Sequence, residues 1–274
     1  SYYDDFLEAV SAAAGAEGWL PIICETHHFD APVVSSYLDQ LFSRNVDGII
    51  AIHAESPAES EAVDIFGPSD SLRPLVLVDS ADLATGSHVT VDREADGRLS
   101  TTHLIEHGHR RIASVCGPAP WISTKRLTKG YADALDAAGV TGDADLIVSV
   151  ADHTLDAGAD AARRLLELDD RPTAIVCAGD VLALGIIHAL READLRVPED
   201  VAVIGYGDIP FATVSLPALS TIRLPAGELG RQAVLLLRRA IDEAAPQSPV
   251  AVSTSLVLRR SCGCSPNPTE EPRV

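Results

Sequence analysis

The sequence predicts an α/β protein made of two similar, doubly wound parallel-sheet lobes. Short apolar runs of strand length alternate with helical periods along nearly the whole chain. The runs are apolar throughout rather than alternating, as expected of strands covered on both faces by helices. Most of them exit on Gly or Asp, and two successive βα sets, Leu20 to Asp79 and Ile112 to Asp208, suggest the two lobes.

The elements follow in order. Ser1 to Gly18 reads as an amphipathic helix with Tyr3, Phe6, Leu7, Val10, Ala13 and Ala14 on one side and Gly18 as its stop. A strand over Leu20 to Cys24, a helix over Pro32 to Arg44 and a strand over Val46 to Ile52 come next. An Ala/Glu-rich helix from Pro57 to Phe66 leads to the strand Leu75 to Val78, which closes on Asp79. The second set runs helix 92–107, strand 112–116, helix 123–138, strand 145–150, helix 156–168, strand 173–177 and helix 181–193. Its last strand, Val201 to Ile204, ends at a Gly-rich exit, Gly205 and Gly207. A helix over Gly227 to Glu243, strands near 250–252 and 255–258, and a polar tail over 265–274 complete the chain.

Composition narrows the function classes. The 274 residues carry a net charge of -19 and no basic cluster longer than a pair, so this polypeptide should repel a phosphate backbone. No apolar run approaches the roughly 20 residues of a membrane helix, and no leader opens the chain, so a cytoplasmic protein without membrane contact is expected. Cys24, Cys116 and Cys177 close apolar runs and read as buried structural thiols. Cys262 and Cys264 form CxC rather than CxxC and read as an unpaired couple beside the tail. His27, His28, His103, His107 and His109 invite a metal reading, and His103 and His107 are i, i+4 on a helix. That pair alone is a weak signal; no metal and no cofactor is expected. There is no GxGxxG after a strand, no P-loop, no HExxH and no GxSxG elbow, and no catalytic residue is assigned.

The stretches VDGII, VTVDREADGRLSTTHLIEHGHRRIASVCGP, GYADALDAAG, PTAIVCAGDVLALG, RVPEDVAVIGYGDIP and LVLRRS are, in this order, similar to the landmarks of LacI/GalR-family bacterial transcription regulators. The resemblance covers almost the whole chain and implies the periplasmic-binding-protein-like fold with a three-crossover hinge. It implies an amino-terminal lobe of 1–91 plus 226–253 and a carboxyl-terminal lobe of 92–225 plus 254–264. It further implies no catalysis, a homodimer, and a small-molecule effector, a sugar or other metabolite, held in the inter-lobe cleft. Operator DNA would be bound only through a helix-turn-helix headpiece. That headpiece, a hinge segment and a first strand precede, in the family, the segment that Ser1 to Tyr3 resemble, and the printed chain is expected to start late.

Candidate ligand contacts are the residues leaving strand ends, which face the crevice in such sheets. Tyr2, Tyr3 and Phe6 resemble family positions walling the cleft; ordinary helix packing is the alternative. Asp79 resembles a ligand-contacting acid, with a turn cap as the other reading. Trp121, in the GPAPW loop, and His153 stand where stacking on a ligand is expected. Asp180 is a candidate contact or a helix N-cap.

Three polar anchors of the family are replaced. Leu127, with Arg126 beside it, stands at the usual Arg; Gly179 stands at an Asn and Gly207 at an Asp. Losing three anchors at roughly 1 to 3 kcal/mol each removes a large part of the roughly 8 kcal/mol that a micromolar ligand has in total. The usual sugar pose therefore does not carry over. Either Arg126 swings in and holds a different ligand with Asp79, Trp121 and His153, or an apolar pocket takes a less hydroxylated one, or effector binding is lost and the module only dimerises. The changed ligand is the favoured expectation. The alternative function is a periplasmic-type solute-binding protein; an enzyme would need a base with a partner, for which Asp79 with His153 is the only nominee.

Overall fold

Parallel strands that are apolar on every residue must be covered on both sides, and the six-stranded sheet shows how. In the computed structural model, residues 2–24, 31–52, 74–79 and 87–264 are described. Among them the chain divides into two compact units: Ser1–Asp92, Pro120–Ser123 and Pro225–Ser253 form one, Arg93–Ala119, Thr124–Leu224 and Thr254–Val274 the other.

The first unit contains helices α1 (Tyr2–Ala16) and α2 (Ala31–Ser43), then strands β1 (Ile49–Ile52), β2 (Leu75–Val78) and β3 (Ser87–Thr90). Helix α8 (Ala226–Glu243) and strand β9 (Val250–Ala251) return to it late in the chain. Its sheet is parallel, in the order β1-β2-β3-β9. Helix α1 packs on α8 through Phe6, which is 2% exposed. A Cβ on Gly230 of α8 would sit 2.8 Å from the Phe6 carbonyl, so glycine permits this approach. Arg238 pairs with Glu17 at 2.8 Å at the far end of the same contact.

The second unit runs α3 (Arg93–Glu106), β4 (Ile112–Cys116), α4 (Ile122–Ala137), β5 (Ile147–Ser149), α5 (Leu155–Leu166), β6 (Ala174–Cys177) and α6 (Asp180–Glu192). Strand β7 (Ala202–Gly207), a short helix α7 (Pro210–Val214), β8 (Ser220–Arg223) and β10 (Ser255–Val257) finish it. The sheet order is β10-β8-β7-β6-β4-β5, parallel except that β10 runs against β8. Alternate residues feed two cores. Ala113, Val115, Ile175, Cys177 and Val203 join α5 and α6 on one face, while Ile112, Ala174, Val176, Ala202 and Ile204 join Leu104, Tyr131 and Leu135 on the other.

Helix pairs on this sheet approach through glycines used reciprocally. A Cβ on Gly158 of α5 would lie 2.2 Å from the Leu182 carbonyl, and one on Gly185 of α6 would lie 2.0 Å from that of Leu155. Gly97 of α3 and Gly130 of α4 meet Leu127 and Glu94 carbonyls in the same way, at 2.3 and 2.0 Å.

The structure departs from the sequence expectations at several elements. Leu20 to Cys24 is not a strand; Leu20 is 90% exposed, and no ladder neighbour joins this segment among the described residues. An apolar run becomes a strand only where a neighbour takes its backbone hydrogen bonds. Strand β7 continues through Gly205 and Tyr206 to Gly207 rather than stopping at Ile204, because β8 pairs with those residues. Strands β3 and β8, not expected from the sequence, carry buried Ser and Thr in place of an apolar run, and α7 is a single turn begun by Pro210. The expected helix 57–66, His27, His28 and the tail 265–274 lie outside the described residues.

Candidate functional site

The strands of the second unit run parallel from β4 to β8, so their exits lie at one end of the sheet, the end where open α/β sheets hold ligands. Gly179 is the N-cap of α6 and makes no side-chain cap bond; Asp180 is the first helical residue. The N-cap role expected of Asp180 is thus taken by Gly179. Asp180 is 2% exposed. Its Oδ1 accepts from the Thr221 hydroxyl at 2.5 Å and its Oδ2 from the Ile209 amide at 2.8 Å. Both oxygens tie α6 to β8 and to the exit of β7. Burial pushes the carboxyl of Asp180 above its usual range against these bonds.

Gly207 has φ 131, a conformation that side chains rarely adopt, and lies beside the Asp180 carboxylate. The next residue, Asp208, is held at φ 60 and receives Arg223 and Arg259, each at 2.6 Å. Both carboxylates at the strand ends therefore accept from the protein on each oxygen.

His153 follows β5 and packs against Gly179, whose built Cβ would lie 3.6 Å from the ring Nδ1. Burial, then the Arg93 guanidinium, lower its pKa, with Asp152 opposing; its imidazole is accordingly neutral near pH 7. Arg93 lies 5.2 Å over the ring of Tyr206. The Tyr206 hydroxyl donates to Asp96 Oδ2 at 2.8 Å, and Thr254 donates to the other oxygen. Arg93 and Tyr206 are both buried in this arrangement, and His153 is half-buried beside them. Arg126 is half-buried on α4, one residue before Leu127.

In the first unit Tyr2 and Tyr3 meet edge to face at 5.2 Å, with Tyr3 46% exposed. Phe6 is buried against α8, the helix packing that was the alternative reading. Asp79 closes β2 at φ 54, is buried and donates its amide to the Val89 carbonyl at 2.9 Å. Trp121 precedes α4 and is half-buried rather than exposed.

One grouping escaped sequence reasoning. His103, His107 and Cys264 bring one ligand atom each within 4.8 Å of one another. Cys262 lies beside them, accepting from the Ser220 hydroxyl at 3.1 Å. Burial raises the Cys262 thiol, yet hydrogen bonds with His103, Ser220 and Cys264 outweigh it and bring it down to about 7, while burial first, then Cys262, holds Cys264 up at about 12. The helical spacing of the histidines was visible; their meeting with a CxC far along the chain was not.

A family profile described as "periplasmic binding protein-like domain" matches residues 101–262. The chain is 34% identical over 265 residues to the HTH-type transcriptional repressor PurR of Haemophilus influenzae Rd, covering 95% of this chain and 77% of that one. The chain belongs to the LacI/GalR family. Among solved structures, the LacI/GalR fold of this chain is similar to the transcription regulator CcpA of Lactococcus lactis, with TM-score 0.84 and 25% identity over 95% of this chain and 94% of that one. It is also similar to a transcriptional regulator CelR in complex with cellobiose, at TM-score 0.83 and 28% identity over 95% and 79%. As a LacI/GalR member it is an effector-binding regulatory region. These relatives are repressors and regulators rather than enzymes, and they weigh against the solute-binding alternative.

Proposed function

We propose that this LacI/GalR chain is the effector-binding and dimerisation part of a cytoplasmic repressor, and that its effector differs in class from a polyhydroxylated sugar. The observation that carries this is the second unit's strand end. Asp180 and Asp208 are engaged by protein donors, Gly179 and Gly207 supply no side chain where the family has polar anchors, and the His153 ring lies against Gly179. The CelR relative is a complex with cellobiose; a sugar of that kind needs several hydroxyl partners, and this end of the sheet supplies few.

In the first unit the same reading singles out Tyr2, Tyr3, Asp79 and Trp121, and in the second Arg126. The effector acts by its differential affinity for two conformations, and that difference alone shifts them. In a homodimer the shift changes the spacing of two helix-turn-helix segments on half-sites of fixed separation. With a net charge of -19, this region makes no DNA contact of its own.

The test is a thermal-shift screen of the folded chain against sugars, sugar phosphates, nucleobases, amino acids and small organic acids. A ligand at 100 times its dissociation constant adds about 2.7 kcal/mol of stability. A hit among planar or weakly hydroxylated compounds supports the proposal. A hit confined to neutral sugars contradicts it.

A further inference from the structure

The carboxyl-terminal segment of the second unit is sewn to the sheet before it reaches the two cysteines. The Val203 amide donates to the Ser261 carbonyl at 2.7 Å, and the Ser261 hydroxyl bonds the Val203 carbonyl at 2.6 Å and receives the Ser220 amide at 2.8 Å. The Arg259 amide donates to the Ser220 hydroxyl at 2.8 Å. Cys262 is 1% exposed, and Gly263 turns the chain at φ 85. The left-handed glycine turns the backbone sharply after Cys262 and brings the Cys264 sulfur to the end of α3.

On α3, His103 and His107 are one helical turn apart on one face, and their rings lie 4.3 Å apart. The Nε2 atoms of both point at the same sulfur: Cys264 Sγ is 3.1 Å from His103 Nε2 and 3.2 Å from His107 Nε2. His107 Nδ1 bonds the His103 carbonyl at 2.7 Å. A carbonyl can only accept, so Nδ1 carries the proton and the lone pair of Nε2 faces the sulfur. This is the arrangement by which metal-binding histidines are held, with the second nitrogen donating to a carbonyl so that ring and tautomer are set before a cation arrives.

We propose that His103, His107 and Cys264 form a binding site for a borderline divalent cation, zinc foremost, that clasps the carboxyl-terminal segment to α3. The donor chemistry, two imidazole nitrogens and one sulfur, is that of a zinc site with three protein ligands, a water completing the tetrahedron. Bonds of about 2.0 to 2.1 Å to nitrogen and about 2.3 Å to sulfur, at tetrahedral angles, require ligand atoms roughly 3.3 to 3.8 Å apart. The two nitrogen–sulfur separations fall only a few tenths of an ångström short of that, so rotation of exposed His107 and of the Cys264 side chain accommodates the ion. Binding displaces the Cys264 thiol proton to solvent, leaving one thiolate that offsets half of the dication's charge. Since the site joins segments 157 and 161 residues apart, the cation stabilises the folded chain by mass action.

The experiment uses the 274-residue chain, stripped with a chelator, kept reduced with a phosphine, and titrated with Co2+ and then Zn2+. One Co2+ per chain should bind with a thiolate-to-cobalt charge-transfer band and the intense visible bands of a tetrahedral centre, and Zn2+ should bleach both and raise Tm. His107→Gln, at an exposed position, and Cys264→Ser, at a half-buried one, should each weaken binding at least about tenfold, whereas Cys24→Ser should leave it unchanged. Absence of the charge-transfer band from folded, reduced wild-type protein would overturn the proposal. So would a band that survives unchanged in both His107→Gln and Cys264→Ser.

Discussion

The Asp180 carboxylate, at the start of helix α6, accepts the Thr221 hydroxyl of strand β8 at 2.5 Å. Both groups are buried, and the second carboxylate oxygen takes the Ile209 amide, so the contact fixes the exit of β7 from beneath. Replacing Asp180 by Ala strands two buried donors, and a loss of roughly 2 to 5 kcal/mol is expected. Thr221→Val removes one hydroxyl and should cost about 1 kcal/mol. Urea denaturation of both variants checks this ordering.

The two glycines at the usual anchor positions should respond differently when the family's residues are put back. Gly179 has φ -167, extended backbone open to any residue, and a Cβ there stands 3.6 Å from His153. Gly179→Asn should fold with stability within about 0.5 kcal/mol of wild type. Gly207 lies at φ 131, and Gly207→Asp should lose about 1 to 3 kcal/mol to backbone strain. Thermal melts of the pair decide it.

Gly130→Ala should destabilise by about 2 kcal/mol or more, because its Cβ would meet the Glu94 carbonyl at 2.0 Å and helix backbone must move. Gly142→Ala, where nothing lies within 4 Å, should be neutral. A pair of chemical denaturation curves distinguishes the two.

Most of the second unit was legible because its strands are apolar on every residue: the expectation for 112–116 coincides with β4, and helix ends moved by one or two positions. Strand β3 escaped because Ser87 and His88, though buried, interrupt the apolar pattern; the Ser87 hydroxyl is occupied by the Gln247 amide at 2.8 Å. Leu20 to Cys24 misled for the opposite reason, since apolar residues say nothing of whether a ladder partner stands beside them. At the site, the substituted anchors could be read from order alone. The engagement of Asp180 by Thr221, 41 residues on, could not, because it depends on how β7 and β8 pair.

His153 sets a pH dependence. Its folded pKa lies below the usual 6.5 because burial and then Arg93 disfavour the imidazolium. Between the two values the unfolded chain binds more protons, so stability should fall as pH drops from about 6.5 through the folded value. His109 is lowered in the same direction, so the comparison is with His153→Gln, whose profile should be flatter over that window. Melts from about pH 7.5 down to about pH 5 in one buffer series test this.

The most direct measurement is calorimetric titration of the strongest compound from the thermal-shift screen into wild type and His153→Ala at pH 7. An effector held by the second unit's strand ends should bind wild type and lose at least about tenfold in affinity, or about 1.4 kcal/mol, in the variant. Equal affinity in the two proteins, or no binding by any compound to the folded wild type, would contradict the account.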